Sequence, residues 1–302
     1  MVALLRAKPV IACLYLLANT RGKLTMRKLL VVIASLVLLA GCAEEPANQP
    51  SSSGGGGAKD PCAAKSLSTV AEGMLTVGTD RPAFEPWFKG SPKAYSGYEG
   101  EVATEVAKRL KLPIKWVIEP FNKAYAPGPK DWDFDINQIT ITEERDRAVD
   151  FSDGYFENNQ GVLALEGTPV AEAKSISDLK DYQFGAQVGT TGLAFINSTI
   201  QPSAEAKVFD TTNDSVSALK NGQIDALVTD VVTTVYLRDF EVDKSVVLGQ
   251  YPKTEQFGMV FEEDNPLVEC VNGALEEMKS DGTLEKLEKK FLQQYLQVPT
   301  RE

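Results

Sequence analysis

The sequence predicts an α/β protein, and three observations carry that prediction. Short apolar runs of strand character alternate with segments of helical period along most of the chain. Chemically notable polar residues gather where the strand-like runs end, and open α/β sheets hold their ligands at those ends. The stretch FDINQITITEER, Phe134 to Arg145, changes the parity of its apolar residues at Asn137–Gln138: Phe134 and Ile136 share one parity, Ile139 and Ile141 the other. A regular strand cannot do this without turning its apolar set to the opposite face. A strand is therefore expected to end near Asn137.

The first 41 residues read as a leader rather than as fold. Arg27 and Lys28 precede the apolar run Leu29–Leu38, which is short for a membrane span and suits a secretory signal. Residues 1–25 precede a second start at Met26 and read as an over-long beginning. Leu39-Ala40-Gly41-Cys42 resembles a bacterial lipobox, which implies cleavage before Cys42 and lipidation of its thiol. Residues 42–61, rich in Ser, Gly and Pro, form a flexible tether. Of the four cysteines, Cys13 lies in the leader and Cys42 is the lipidation site. Cys62 and Cys270 remain, as two thiols or as a disulfide tying the start of the folded part to its end; export favours the disulfide.

The folded part follows in order. Leu75–Asp80 is a buried strand. Val102, Val106 and Leu110 mark one face of a helix, LPIKWVIE is a second strand and DFDIN a third. Thr140 with Glu143 fits a capping box, so a helix is expected to start there, with Arg145 one turn in. YQFGAQVGTTGLAFI reads strand, turn, helix. TTNDSVSALKNGQIDALVTD reads helix, stop at Gly222, strand, with Asp230 at the strand's end. The C-terminal segment holds two amphipathic helices broken at Asp281-Gly282, the second with Leu284, Leu287 and Phe291 on its apolar face. The alternation predicts mostly parallel sheets.

Composition limits the chemistry. The 302 residues carry a net charge of −11 and no histidine. The usual neutral-pH base and the commonest metal ligand are thus missing, and an acidic chain without a basic stripe is a poor nucleic-acid binder. No metal or cofactor is expected. The strand-end residues instead suit a zwitterion. Arg145 offers a planar fork for a carboxylate. The Gly189-Thr190-Thr191 turn opens a helix whose N–H groups favour an anion. Asp230 offers a charge for an ammonium, and Thr140 offers a hydroxyl. Thr190 serves equally as helix cap or as ligand contact.

From Leu75 to Phe291 the chain resembles the extracytoplasmic polar amino acid-binding proteins of ABC importers, solute-binding family 3. The matching stretches are VGTDRPAFEPWF, GYEGEVATEVAKRL, DFDINQITITEERDRAVDFSDGYF, VGTTG, NGQIDALVTD and EQFGMVF. The resemblance implies a type II periplasmic-binding-protein-like fold: two α/β lobes joined by two crossovers near Glu157–Gln160 and Gln250–Lys253. Lobe 1 would comprise residues 62–157 plus 252–302, and lobe 2 residues 158–251. It implies that Arg145 and the N–H groups of Thr140 and Thr191 take a ligand carboxylate. Asp230, the Gln138 carbonyl and the Thr140 hydroxyl would take its ammonium. Phe84 aligns with the stacking aromatic, and Phe121 is a candidate opposite wall, which the departure APGPKDW puts in question. Asp80, Gln187 and Thr229 would face the ligand side chain, favouring glutamine or a basic amino acid, and Trp87 would be core. The implied function is capture by hinge closure for an importer's permease and ATPase, by a monomer held to the membrane only by its lipid. A dehydratase-like enzyme and a sensing module on the same fold are the alternatives. An acid–base pair is demanded only of the first, and Asp80 with Asp230 is the only obvious one.

Overall fold

The computed structural model describes residues 60–302, apart from the side chains of Lys253 and Thr254. The leader, Cys42 and most of the tether lie outside those residues. In chain order the elements are β1 (Leu75–Thr79), β2 (Lys89–Ser91), β3 (Ala94–Ser96), α1 (Tyr98–Arg109), β4 (Ile114–Ile118), α2 (Phe121–Ala124), β5 (Phe134–Asp135) and β6 (Asp150–Phe151). Then come β7 (Phe156–Leu165), β8 (Phe184–Gln187), α3 (Thr191–Phe195), β9 (Lys207–Phe209), α4 (Thr212–Lys220), β10 (Ala226–Asp230) and α5 (Val231–Tyr236). The last are β11 (Ser245–Phe257), β12 (Val260–Phe261), α6 (Leu267–Ser280) and α7 (Thr283–Phe291).

Two five-stranded sheets organise the chain, ordered β4-β1-β5-β12-β6 and β11-β7-β10-β8-β9. Each is mixed rather than mostly parallel. In the first, β1 is parallel to β4 and β5, while β12 is antiparallel to β5 and β6. In the second, β8 is parallel to β9 and β10, while β7 is antiparallel to β10 and β11. The antiparallel pairs arise where the chain passes from one sheet to the other and back: β7 enters the second sheet reversed, and β12, which follows β11, enters the first sheet reversed. Strands β7 and β11 run side by side from Phe156↔Phe257 to Leu165↔Ser245, with an irregularity between Tyr251 and Glu255.

Helix α1 buries Val102 and Val106, with Leu110 just past its end, as the period predicts, in the same core as β1 residues Leu75 and Val77. Its first turn carries Glu99 and Glu101 and its last Lys108 and Arg109, each sign at the favourable end of the helix dipole. Gly282 breaks α6 from α7 at φ +75°, a left-handed position that costs glycine little. Where β7 and β11 leave the first sheet, Trp87 packs edge-on against Phe156 and Phe257, at centroid separations of 5.2 and 5.6 Å. Trp87 is core, as the sequence indicates.

Two features tie down the two ends of the described residues. Cys62 and Cys270 form a disulfide joining the segment before β1 to α6. After α7 the tail crosses to the outer edge of β11: Gln250 N–H donates to the Pro299 carbonyl at 2.9 Å, and Arg301 N–H donates to that of Gln250 at 2.9 Å. The Ile176 N–H then donates to the Glu302 carbonyl at 3.1 Å.

Candidate functional site

The parity change has a single origin. Gln138 has φ +49°, a left-handed conformation that costs a non-glycine residue about 1–2 kcal/mol. Its backbone N–H donates to Glu99 Oε1 at 2.7 Å. The Gln138 side-chain amide and the Tyr155 hydroxyl also donate to that buried carboxylate. The network holds the strained residue in place, ends β5 and turns the chain. Burial pushes the Glu99 carboxyl up to about 7, against the hydrogen bonds from Tyr155 and Gln138.

No helix starts at Thr140. It forms an isolated antiparallel bridge with Phe257, and only a 3-10 turn, Arg145–Arg147, follows. The expected capping box is absent because Thr140 is tied to β11, so the backbone is extended there rather than helical. Instead the Thr142 hydroxyl accepts the Arg145 N–H at 3.2 Å. Arg145 is buried, with 7% of its surface exposed. Its Nη1 donates to the Thr140 carbonyl at 2.7 Å and its Nη2 to the Gly189 carbonyl at 2.9 Å. Its guanidinium lies 4.4 Å from the Tyr125 ring centroid and 5.6 Å from that of Phe121, within cation–π range. Burial lowers its pKa, while Tyr125 and the carboxylates of Glu255 and Glu144 oppose that. Only two of the roughly five guanidinium N–H donors are used this way, so others remain for an anion.

The second sheet supplies the facing wall. After β8, Gly189 (φ +72°) turns the chain into α3. A Cβ there would press on the Tyr125 hydroxyl, the free end of a side chain, so glycine is needed here first for its conformation. Thr190 caps α3: its hydroxyl accepts the Leu193 N–H at 3.2 Å and donates to the Gln187 carbonyl at 2.8 Å. Asp230 likewise caps α5, its Oδ1 accepting the Thr233 N–H at 2.8 Å. Burial pushes the Asp230 carboxyl up to about 6, against the hydrogen bonds from Thr233.

These groups enclose a cavity of about 80 Å³. One water needs about 10–15 Å³ of such space, so the cavity suits a small polar molecule. Its lining brings together Asp80, Phe84, Phe121, Gln138, Thr140, Arg145, Gln187, Thr190, Thr191, Thr229 and Asp230, every ligand-contact candidate that the sequence offered. Phe121 takes its place from the short helix α2, despite the irregular segment after it. Asp80 accepts the N–H groups of Arg81 and Phe121 at 2.5 and 3.2 Å, and burial raises its pKa. Arg81 and Lys123 are exposed and line no part of the cavity.

Sequence reasoning missed Asn158 and Gln160 on β7, both buried in the lining, together with Thr212, Thr233 and Phe257. It also missed Glu255. The signal available was polarity inside otherwise apolar strands, NNQ in β7 and TEQ in β11.

A profile for bacterial extracellular solute-binding proteins, family 3, matches residues 75–294. The L-cystine-binding protein TcyJ of Escherichia coli (strain K12) is 30% identical over 234 residues, covering 74% of this chain and 85% of the relative. The ABC transporter glutamine-binding protein GlnH of Bacillus subtilis (strain 168) is 30% identical over 280 residues, covering 88% and 96%. Among solved structures, an ancestral arginine-binding protein bound to glutamine superposes with a TM-score of 0.65 at 32% identity, covering 73% of this chain and 98% of the other. The two sheets with their helices are thus the two lobes of a periplasmic-binding-protein fold, and the chain belongs to the bacterial extracellular solute-binding proteins of family 3.

Proposed function

We propose that this protein captures a free polar amino acid between its lobes and hands it to the permease of an ABC importer. The observation that carries the reading is a buried cation, Arg145, lining the same small cavity as the half-buried carboxylate of Asp230. A zwitterion enters such a space only if both of its charges find partners. Arg145, with the backbone N–H groups of Thr140 and Thr191, takes the carboxylate. Asp230, the Gln138 carbonyl and the Thr140 hydroxyl take the ammonium, and Phe84 and Phe121 form the walls. Asp80, with Gln187 and Thr229, faces the side chain. With Arg81 and Lys123 outside the lining, Asp80 favours glutamine or a basic amino acid over an acidic one.

Lobe 1 is residues 62–157 with 252–302, lobe 2 is residues 158–251, and the hinge lies in β7 and β11. Closure about that hinge expels water and completes the contacts. The partners are a permease and its ATPase, and the working form is a lipid-anchored monomer at the outer face of the cell membrane. We propose binding rather than catalysis: Arg145 and Asp230 are spent on neutralising a zwitterion, which leaves no matched acid and base to drive a reaction.

A thermal-shift panel of the twenty amino acids tests this. A ligand at about 100 times its Kd stabilises by about 2.7 kcal/mol, a rise of about 5–10 °C for a domain of this size. A rise with one or a few amino acids, lost in Arg145→Ala, supports the reading. A flat panel from folded protein overturns it.

A further inference from the structure

One side chain outside the cavity lining reaches residues of both lobes and both connecting strands. Glu255 sits on β11 at the end of its irregular stretch. Its Oε2 accepts from Gln160 Nε2 at 2.8 Å, Thr191 Oγ1 at 3.0 Å, Thr140 Oγ1 at 3.4 Å and Asn158 Nδ2 at 3.5 Å. Gln160 Nε2 also reaches Thr191 Oγ1 at 3.1 Å, and the two threonine hydroxyls lie 3.3 Å apart. Thr140 follows β5 of the first sheet, Thr191 opens α3 against the second, and Asn158 and Gln160 belong to β7. An ionised carboxylate is an acceptor only, so in each contact with Oε2 the hydroxyl or amide is the donor.

That has two consequences. A threonine hydroxyl has one proton and two lone pairs; Thr191, 3.0 Å from Oε2, gives its proton to Glu255 and can then serve a ligand only as an acceptor. The amides of Asn158 and Gln160 are turned the same way. Their carbonyl oxygens, Asn158 Oδ1 and Gln160 Oε1, are buried without a protein partner, in residues that line the cavity. The lobes are also fastened: a hinge rotation that parts Thr140 from Thr191 must break at least one hydrogen bond to Oε2.

We propose that Glu255 is a positioning residue, an anionic tie that turns the hydroxyls and amides at the base of the cleft into acceptors for a cationic ammonium and holds the closed lobes together. Its ligand-orienting half rests on the amino acid reading above; its lobe-tying half does not.

The test uses the full chain and the near-isosteric Glu255→Gln, whose side chain brings an amide donor where the tie needs an acceptor. Without ligand, hydrogen–deuterium exchange is expected to quicken in peptides covering residues 138–142 and 188–192; unchanged exchange in both overturns the tie. With the amino acid that most stabilises the wild type, stopped-flow fluorescence is expected to show release faster by about tenfold, with little change in association rate. The melting temperature of the ligand-free protein should stay that of the wild type. Equal release rates overturn the orienting role, and a matching fall in melting temperature reduces Glu255 to a general structural residue. If the wild type binds none of the twenty amino acids, the proposed function and the orienting role fall together, and the exchange measurement still decides the tie.

Discussion

Asp230 holds its proton more readily than a free aspartate because burial withdraws water from its charge. A ligand ammonium must find it ionised, so binding of an amino acid should weaken as pH falls through about 6. Asp230→Asn should flatten that dependence and cost about 2–5 kcal/mol of affinity at neutral pH. Calorimetric titrations at pH 5 and 7.5 check both. Glu99 acts on folding instead. Its carboxyl titrates at about 7 in the fold against an ordinary 4.5, so over that window the folded state keeps a proton that the unfolded chain has released. Ligand-free stability should therefore fall as pH rises from 4.5 to 7, by about 3 kcal/mol at most. Urea denaturation across that range should show the slope in the wild type and its loss in Glu99→Gln. Site chemistry was legible where one residue type suffices, as with the Arg145 fork and the Asp230 charge. Glu255 and Glu99 were not: each acts through contacts 39 to 115 positions away, which no local pattern reports.

Strand ends set the site, and the turn after β8 is the tightest of them. Gly189 meets Tyr125 beside Arg145, outside the cavity lining: its carbonyl accepts from both Arg145 and the Tyr125 hydroxyl. Gly189→Ala needs a φ that alanine adopts at a cost of about 1–2 kcal/mol, and its methyl must push the Tyr125 hydroxyl aside. Ligand affinity should drop by at least about tenfold, more than the loss of ligand-free stability implies, because the displaced Tyr125 ring lies against the Arg145 guanidinium. Paired calorimetry and thermal melts separate the two effects. Helices with a clear apolar stripe, such as α1 and α7, were legible from their period. The Thr140–Glu143 segment was not, since its capping signature is a local preference overruled by pairing with Phe257 of a strand over a hundred residues later. Likewise the alternation of strands and helices revealed two α/β layers but not the reversed direction of β7 in one sheet and β12 in the other, which follows from the chain passing between sheets.

Across the whole molecule, the disulfide closes a span of 208 positions. Chain-entropy reasoning assigns such a loop about 5 kcal/mol, and native disulfides commonly deliver about 2–5 kcal/mol. Cys270→Ser, or reduction of the wild type, should lower the melting temperature by about 5–15 °C, with ligand selectivity unchanged because Cys62 and Cys270 line no part of the cavity. A melt with and without reductant measures this. The tail has another kind of importance. Strand β11 is the outermost of its sheet, and the Pro299 and Arg301 backbone occupies the hydrogen-bonding groups of Gln250 that would otherwise face outward. A bare outer strand is a template on which another chain can pair. A protease that trims the last five residues would thus leave an adhesive margin, and how well a preparation ages in storage depends on whether that short ribbon is still attached.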